Sequence, residues 1–309
     1  MGLLILPPAM RARDSTAPEH DGPEKVPAGT LLAFRYRLGE RLAVGDTAEI
    51  YRATEDGGSA GVVVKLVRPA AAGADGGLLA LRLAEQAENL RKLTHPGIVR
   101  LIADGWDETL GARFLVLEAL RGETLETLLT RRRRLELSEA LGLVDALCDV
   151  VAVQHAAGML QLDLRPENVI QLPETEPFPL KLMEAGRYRR DDPPGPLPRN
   201  GALPYAAPER LRGETCDERS DVHAVGGLLY RMLSGHVPFR GATPAEVLAA
   251  RGRGVAPLYA AGGSPTDATT DRLVRRCLAD DPAARFPMVA ELKAAVADLR
   301  VKLATSARP

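Results

Sequence analysis

Two short, mostly apolar runs, residues 158–162 and 169–172, bracket the polar stretch Asp163-Leu164-Arg165-Pro166-Glu167-Asn168. The pattern predicts strand, tight loop, strand. Pro166 bars a helix from running through the loop and holds it in one shape. The loop presents a carboxylate (Asp163), a cation (Arg165) and an amide (Asn168). Phosphoryl transfer asks for such a set: one group to orient or deprotonate the attacking hydroxyl, one cation facing phosphate, and one oxygen ligand for Mg²⁺. A surface hairpin with ordinary polar residues reads the same way, so the loop alone leaves both open.

The 309 residues suffice for a two-lobed domain of about 260 residues plus a tail. A net charge of −1 gives no pull toward nucleic acid or a membrane surface, and neither is expected as a partner. Cys148, Cys216 and Cys277 are far apart and form no metal-ligand spacing. So sparse and odd a count fits a reduced, cytoplasmic protein in which all three are buried small hydrophobes. Residues 3–6 are apolar, but Pro7-Pro8 ends them and no basic stretch precedes them, so they do not read as a signal peptide. No apolar run approaches the ~20 residues of a membrane helix, and a soluble chain is expected. Residues 1–30 carry five prolines without periodicity and are expected to form a disordered tail or linker.

The stretch from Asp163 to Asn168 resembles the catalytic loop of the Ser/Thr protein kinases, whose usual form is His-Arg-Asp-Leu-Lys-Pro-Glu-Asn. The resemblance runs in order from about Tyr36 to about Leu299. It implies an α+β, bilobal protein kinase-like domain over residues 31–305. A small β-rich N-lobe of five strands and one helix would occupy about 31–118, and a larger helical C-lobe about 122–305. It further implies ATP in the interlobe cleft, Mg²⁺ (or Mn²⁺), and a protein substrate or protein partner. By the same resemblance Asp163 and Arg165 are the catalytic-loop residues, and Asn168 and Glu184 the metal ligands.

Several positions depart from the family. Where the family has Gly-x-Gly-x-x-Gly-x-Val, this chain has Ala43-Val44-Gly45-Asp46-Thr47-Ala48-Glu49-Ile50. Only Gly45 is kept, and Ile50 replaces the valine, so the turn should cover a nucleotide more stiffly and less closely. Lys65 interrupts the β-branched run 61–67, 14 residues after Tyr51, and resembles the lysine that grips the α- and β-phosphates. A loose helical pattern over 78–93 resembles the helix that carries its glutamate partner. Gln86 stands there, nine residues before His95: it can accept a hydrogen bond from Lys65 but carries no charge. Glu85 and Glu88 lie off that face by about 100° and 200° and should meet solvent. Strands are predicted over 98–103 and 113–117. Leu117 then resembles the gatekeeper and Glu118-Ala119-Leu120 the hinge, whose backbone holds adenine. A short helix starts at 125–129, and the basic run 131–134 reads as a solvated helix end.

The amphipathic stretch 137–157 predicts a long helix closed by Gly158. Beyond it Gln161 and Leu162 replace the family's histidine and arginine. Glu184-Ala185-Gly186 stands for Asp-Phe-Gly; the longer acid handicaps a metal that demands near-octahedral geometry. Residues 186–209 resemble the activation segment, yet hold no Ser or Thr, only Tyr188 and Tyr205. Ala202 replaces a threonine, and Leu162 could not read a phosphate there. Glu209, Asp221 and Arg285 match positions that are structural in the family: Asp221 should cap the catalytic-loop backbone and Arg285 should pair with Glu209. His223 and His236 read as core or surface residues. The balance favours ATP binding with phosphoryl transfer weak or lost, a pseudokinase; the alternative is an active serine/threonine kinase. A small-molecule phosphotransferase fits less well, because Ala207-Pro208-Glu209 with Arg285 belongs to protein kinases.

Overall fold

A computed structural model describes residues 24–45, 48–58, 60–192, 197–198, 200–258 and 268–306. The chain divides into two compact units, 1–94 with 98–123, and 95–97 with 124–309.

The first unit is one antiparallel sheet and one helix. Its strands are β1 (Leu31–Leu32), β2 (Tyr36–Val44), β3 (Glu49–Glu55), β4 (Gly61–Val67), β5 (Leu101–Asp107) and β6 (Ala112–Glu118), with α1 (Gly76–Leu90) between β4 and β5. The sheet order is β1-β2-β3-β4-β6-β5. There are six strands where five are expected, because two residues of β1 pair with the start of β2. β4 forms where the β-branched run predicts it, since such side chains pack well on a pleated surface. Tyr36, Leu38, Tyr51, Val62, Val64, Leu66, Phe114 and Val116 build the core of the sheet. Helix α1 packs on β4, β5 and β6. It buries Leu83, Gln86, Ala87 and Leu90, a spacing of three, four and seven that marks one face. Glu85 and Glu88 are exposed, as predicted.

The expected tail is described from Glu24 onward, and residues 1–23 lie outside the described residues. Val26 is buried, and its N–H donates to Tyr51 Oη at 3.1 Å. Gly29 donates to the Leu38 carbonyl at 2.7 Å.

The second unit opens with β7 (Glu123–Thr124) and α2 (Leu125–Arg132), whose first turn is capped by Thr124 Oγ1 accepting from the Thr127 N–H at 3.0 Å. Arg131 to Arg134 are exposed. Then come α3 (Leu137–Ala156), β8 (Met159–Leu160), β9 (Val169–Gln171), β10 (Leu180–Leu182) and β11 (Tyr188–Arg189). The remainder is helical: α4 (Pro208–Leu211), α5 (Glu218–Ser234), α6 (Pro244–Arg251), α7 (Ala268–Cys277) and α8 (Val289–Ser306). α3 packs against α5 and α8, and α5 against α7.

β8 and β9 do not pair with each other. β8 pairs with β11, and β9 with β10 and β7. The polar loop is therefore no hairpin: its two ends belong to separate sheets, which fix it from both sides. Cys148 and Cys277 are buried as expected, whereas Cys216 is partly exposed. Its thiol reaches the Glu214 carbonyl at 3.7 Å, close to the surface rather than in the core. Among the described residues no helix is long and apolar enough to cross a membrane.

Candidate active site

In the first unit Lys65 stands on β4 between Ile50 of β3 and Leu115 of β6. It is 6% exposed, and its Nζ donates to Gln86 Oε1 at 3.2 Å. Ile50, Lys65 and Gln86 are thus neighbours. Gly45 closes the β2–β3 connection by donating to the Ala48 carbonyl at 2.9 Å; Asp46 and Thr47 lie outside the described residues. Glu118, at the end of β6, is fastened to Arg100, the residue before β5: its N–H donates to the Arg100 carbonyl at 3.1 Å, and its Oε1 accepts from the Arg100 N–H at 2.8 Å. Leu120 is buried just beyond it.

In the second unit the polar loop is built on Asp221 of α5, which is wholly buried. Its carboxylate accepts from the N–H of Gln161 at 2.8 Å and of Leu162 at 2.7 Å, and meets His155 Nε2 at 2.8 Å. Leu162 takes φ +50, a left-handed conformation that a branched side chain rarely adopts, and these bonds hold it there. Asn168 Nδ2 donates to the Asp163 carbonyl at 2.9 Å, so the amide ties the loop across its mouth. Gly201 lies so close over the loop that a Cβ would stand 2.9 Å from Glu167 Oε1. Burial pushes the Glu167 carboxyl up, with Arg165 opposing.

Glu184 is buried, and its carbonyl accepts from Gln161 Nε2 at 3.3 Å. Gly186 has φ +73 and donates to Gln154 Oε1 at 3.2 Å. The turn returns Arg187 onto the loop. Arg187 Nη1 donates to Asp163 Oδ2 at 3.0 Å and lies 3.6 Å from Glu184 Oε2. Arg165 Nε is 3.7 Å from Asp163 Oδ1, within ion-pair range but too long for a hydrogen bond. Asp163, Arg165, Asn168 and Glu184 are brought together, and Arg187 joins them. Sequence reasoning passed over Arg187; the available signal was a cation three residues after Glu184, across a glycine.

Asn168 Oδ1 is buried and accepts no hydrogen bond, so it suits an incoming ligand. Glu184 does not, because a guanidinium faces it. Among the described residues no three His, Cys, Asp or Glu side chains cluster to hold a metal ion. As arranged, the donor set does not fit a divalent metal.

Of the segment resembling the activation segment, Pro193, Pro194, Gly195, Pro196 and Arg199 lie outside the described residues. Tyr188 Oη accepts from Arg210 Nη2 at 3.1 Å. Ala202 and Tyr205 are buried. Glu209 and Arg285 form the expected pair, with Nη1–Oε1 at 2.7 Å and Nη2–Oε2 at 2.9 Å.

A sheet unit whose buried strand lysine is tied to a helix side chain, and a helical unit whose Asp-Asn loop is followed by an acid-Ala-Gly turn, make the α+β fold of a protein kinase. The chain belongs to the protein kinase family, whose domain model matches residues 36–295. It is 29% identical over 270 residues to the serine/threonine-protein kinase PknB of Mycobacterium tuberculosis, covering 85% of this chain and 42% of PknB. It is 29% identical over 220 residues to the serine/threonine-protein kinase pkn3 of Myxococcus xanthus, covering 68% of this chain and 40% of pkn3. The chain thus spans about two-fifths of the length of these relatives. The crystal structure of the Mycobacterium tuberculosis PknI kinase domain superposes with a TM-score of 0.67 at 22% identity, covering 89% of this chain and 99% of that one.

Proposed function

We propose that this chain is a protein kinase-like domain that binds ATP and transfers phosphate weakly or not at all, acting on protein partners as a binding module. The Lys65–Gln86 contact carries the reading: the lysine that would grip the α- and β-phosphates is held in place, but by a neutral amide. A hydrogen bond keeps the ammonium pointed, while the charge that fixes it tightly during phosphoryl transfer is missing. Gly45, Ile50, Glu118 and Leu120 are the remaining nucleotide-facing positions of that unit. In the second unit Asp163 would orient an acceptor hydroxyl and Arg165 would face phosphate. Asn168 and Glu184 correspond to the family's metal-ligand positions, but Arg187 faces Glu184 there.

The alternative is an active serine/threonine kinase, as the relatives' names describe those proteins. One observation favours it: Asp221 holds the N–H groups of Gln161 and Leu162, and Asn168 holds the carbonyl of Asp163, so the loop backbone is bonded on both sides of that carboxylate. The deciding experiment has two readouts. ATP at millimolar concentration is expected to raise the melting temperature of the chain, and no shift would sink nucleotide binding. Labelled γ-phosphate is expected to reach neither the chain nor a generic basic protein above an Asp163→Asn control. Label that vanishes in Asp163→Asn would establish the active kinase.

A further inference from the structure

One nitrogen, Arg187 Nη1, faces both Asp163 Oδ2 at 3.0 Å and Glu184 Oε2 at 3.6 Å. A divalent ion shared by two carboxylates would stand in the same relation to them. Two anions this close repel unless a cation lies between them. Arg165 also stands beside Asp163, so two guanidinium groups meet these two carboxylates. Burial opposes the charge on Arg187, but Glu184, Tyr188 and Asp163 outweigh it and raise its pKa above the ordinary value.

The side chain is not carried on a loose segment. On one side Gly186, at φ +73, reverses the chain and is bonded to Gln154. On the other, Tyr188 and Arg189 pair with Leu160 and Met159. Arg187 sits between a fixed turn and a fixed strand.

We propose that Arg187 is an internal cation that takes the place of the divalent metal, so that this domain takes up nucleotide without Mg²⁺ or Mn²⁺. The proposal rests on the reading that Asn168 and Glu184 face the nucleotide's metal. An ion entering there must expel Nη1, strand the guanidinium and add its own two charges beside it. Displacing nothing, it would have Asn168 Oδ1 as its unpartnered oxygen while Arg187 stood against Glu184 Oε2, and one neutral oxygen does not hold a metal that asks for several oxygen ligands.

The test titrates the whole chain with Mn²⁺ in the absence of nucleotide and follows the spin-resonance signal of the unbound ion. The native chain is expected to leave that signal unchanged, and Arg187→Lys, which keeps a cation, to do the same. Arg187→Gln is expected to bind Mn²⁺ about tenfold more tightly or better, and to lose the gain when Glu184→Gln is added. Circular dichroism reports whether each variant is folded. Native binding of Mn²⁺ as tight as that of Arg187→Gln overturns the proposal, as does the absence of any gain in Arg187→Gln. In a parallel arm the native chain is expected to bind fluorescent mant-ATP equally with EDTA and with Mn²⁺. Binding that requires Mn²⁺ overturns the proposal. No mant-ATP binding under either condition refutes the nucleotide reading itself, and the metal arm still decides whether Arg187 excludes the ion.

Discussion

Lys65 Nζ donates to Gln86 Oε1 at 3.2 Å, and both residues are buried. An amide carries no charge, so a hydrogen bond rather than an ion pair links strand and helix at this point. Charge-assisted bonds are shorter and roughly twice as strong as neutral ones. Gln86→Glu supplies the missing anion, and Glu184→Asp shortens the acid of the second unit by one methylene. Together they are expected to raise transfer of labelled γ-phosphate by about tenfold or more. A double variant no faster than the native chain would move the defect to Ala185 and Gln161.

Asp221 organises the catalytic loop from below by accepting the N–H groups of Gln161 and Leu162. Asp221→Ala leaves one buried donor (Gln161) and one partly buried donor (Leu162) without partners, and an unsatisfied buried donor costs about 1–3 kcal/mol. It also removes what holds Leu162 at φ +50, so the loop is expected to relax. A loss of about 2–4 kcal/mol in urea unfolding is expected. A loss below the ~0.5 kcal/mol of an ordinary surface change would show that the loop stands without Asp221.

Arg285 is fully enclosed and makes two hydrogen bonds to Glu209, while Ser220 Oγ donates to the same carboxylate at 2.6 Å. Burial alone would push the Glu209 carboxyl up; the bonds from Arg285 and Ser220 outweigh it and hold the pKa below its ordinary value of 4.5. A carboxyl depressed on folding gives stability that is present above its unfolded pKa and lost as pH falls through the folded one. That window lies below about pH 4.5. Arg285→Met strands a buried carboxylate and is expected to cost about 3–5 kcal/mol. Adding Glu209→Gln is expected to recover part of it, as a double-mutant cycle in urea would measure.

Much of this arrangement is legible in the sequence. The run 61–67 gives β4, the 137–157 pattern gives α3, and Asp163 to Asn168 announce the loop. The Glu209–Arg285 pair and the Asp221 cap follow from residues matched to a family. β5 is displaced from its expected 98–103 to Leu101–Asp107. The strand runs on through Asp104-Gly105-Trp106-Asp107, whose acids are satisfied by partners elsewhere in the unit. Asp104 pairs with Arg91 and Arg113, and Asp107 accepts from the N–H groups of Ala33 and Leu110. Ala33 and Phe34 have positive φ, so β1 and its turn depend on the Asp107 contact, which no local pattern signals. Arg187 is hidden for the same reason. Its place beside Asp163 needs the Gly186 reversal and the β8–β11 pairing together, and neither is a periodic feature of the chain.

His223 lies wholly inside the second unit, with Nδ1 3.2 Å from the Tyr205 carbonyl and Nε2 3.0 Å from Arg251 Nη1. A guanidinium only donates, so Nε2 accepts and the proton sits on Nδ1, pointing at Tyr205. The ring is therefore neutral. Burial, and then the charges of Arg251 and Arg285, push its pKa well below the ordinary 6.5. Below that value the unfolded chain takes up a proton that the folded one refuses. Stability is complete above pH 6.5 and falls as pH drops, by up to about 1.4 kcal/mol per unit. His95, also lowered by burial, adds a smaller share because it is partly exposed. Urea unfolding at about pH 7, 6 and 5 is expected to show this slope. The window stays above the acid range in which Glu209 begins to be protonated. His223→Gln removes the titrating group and is expected to flatten the slope at the expense of overall stability. A variant as steep as the native chain would place the acid sensitivity elsewhere.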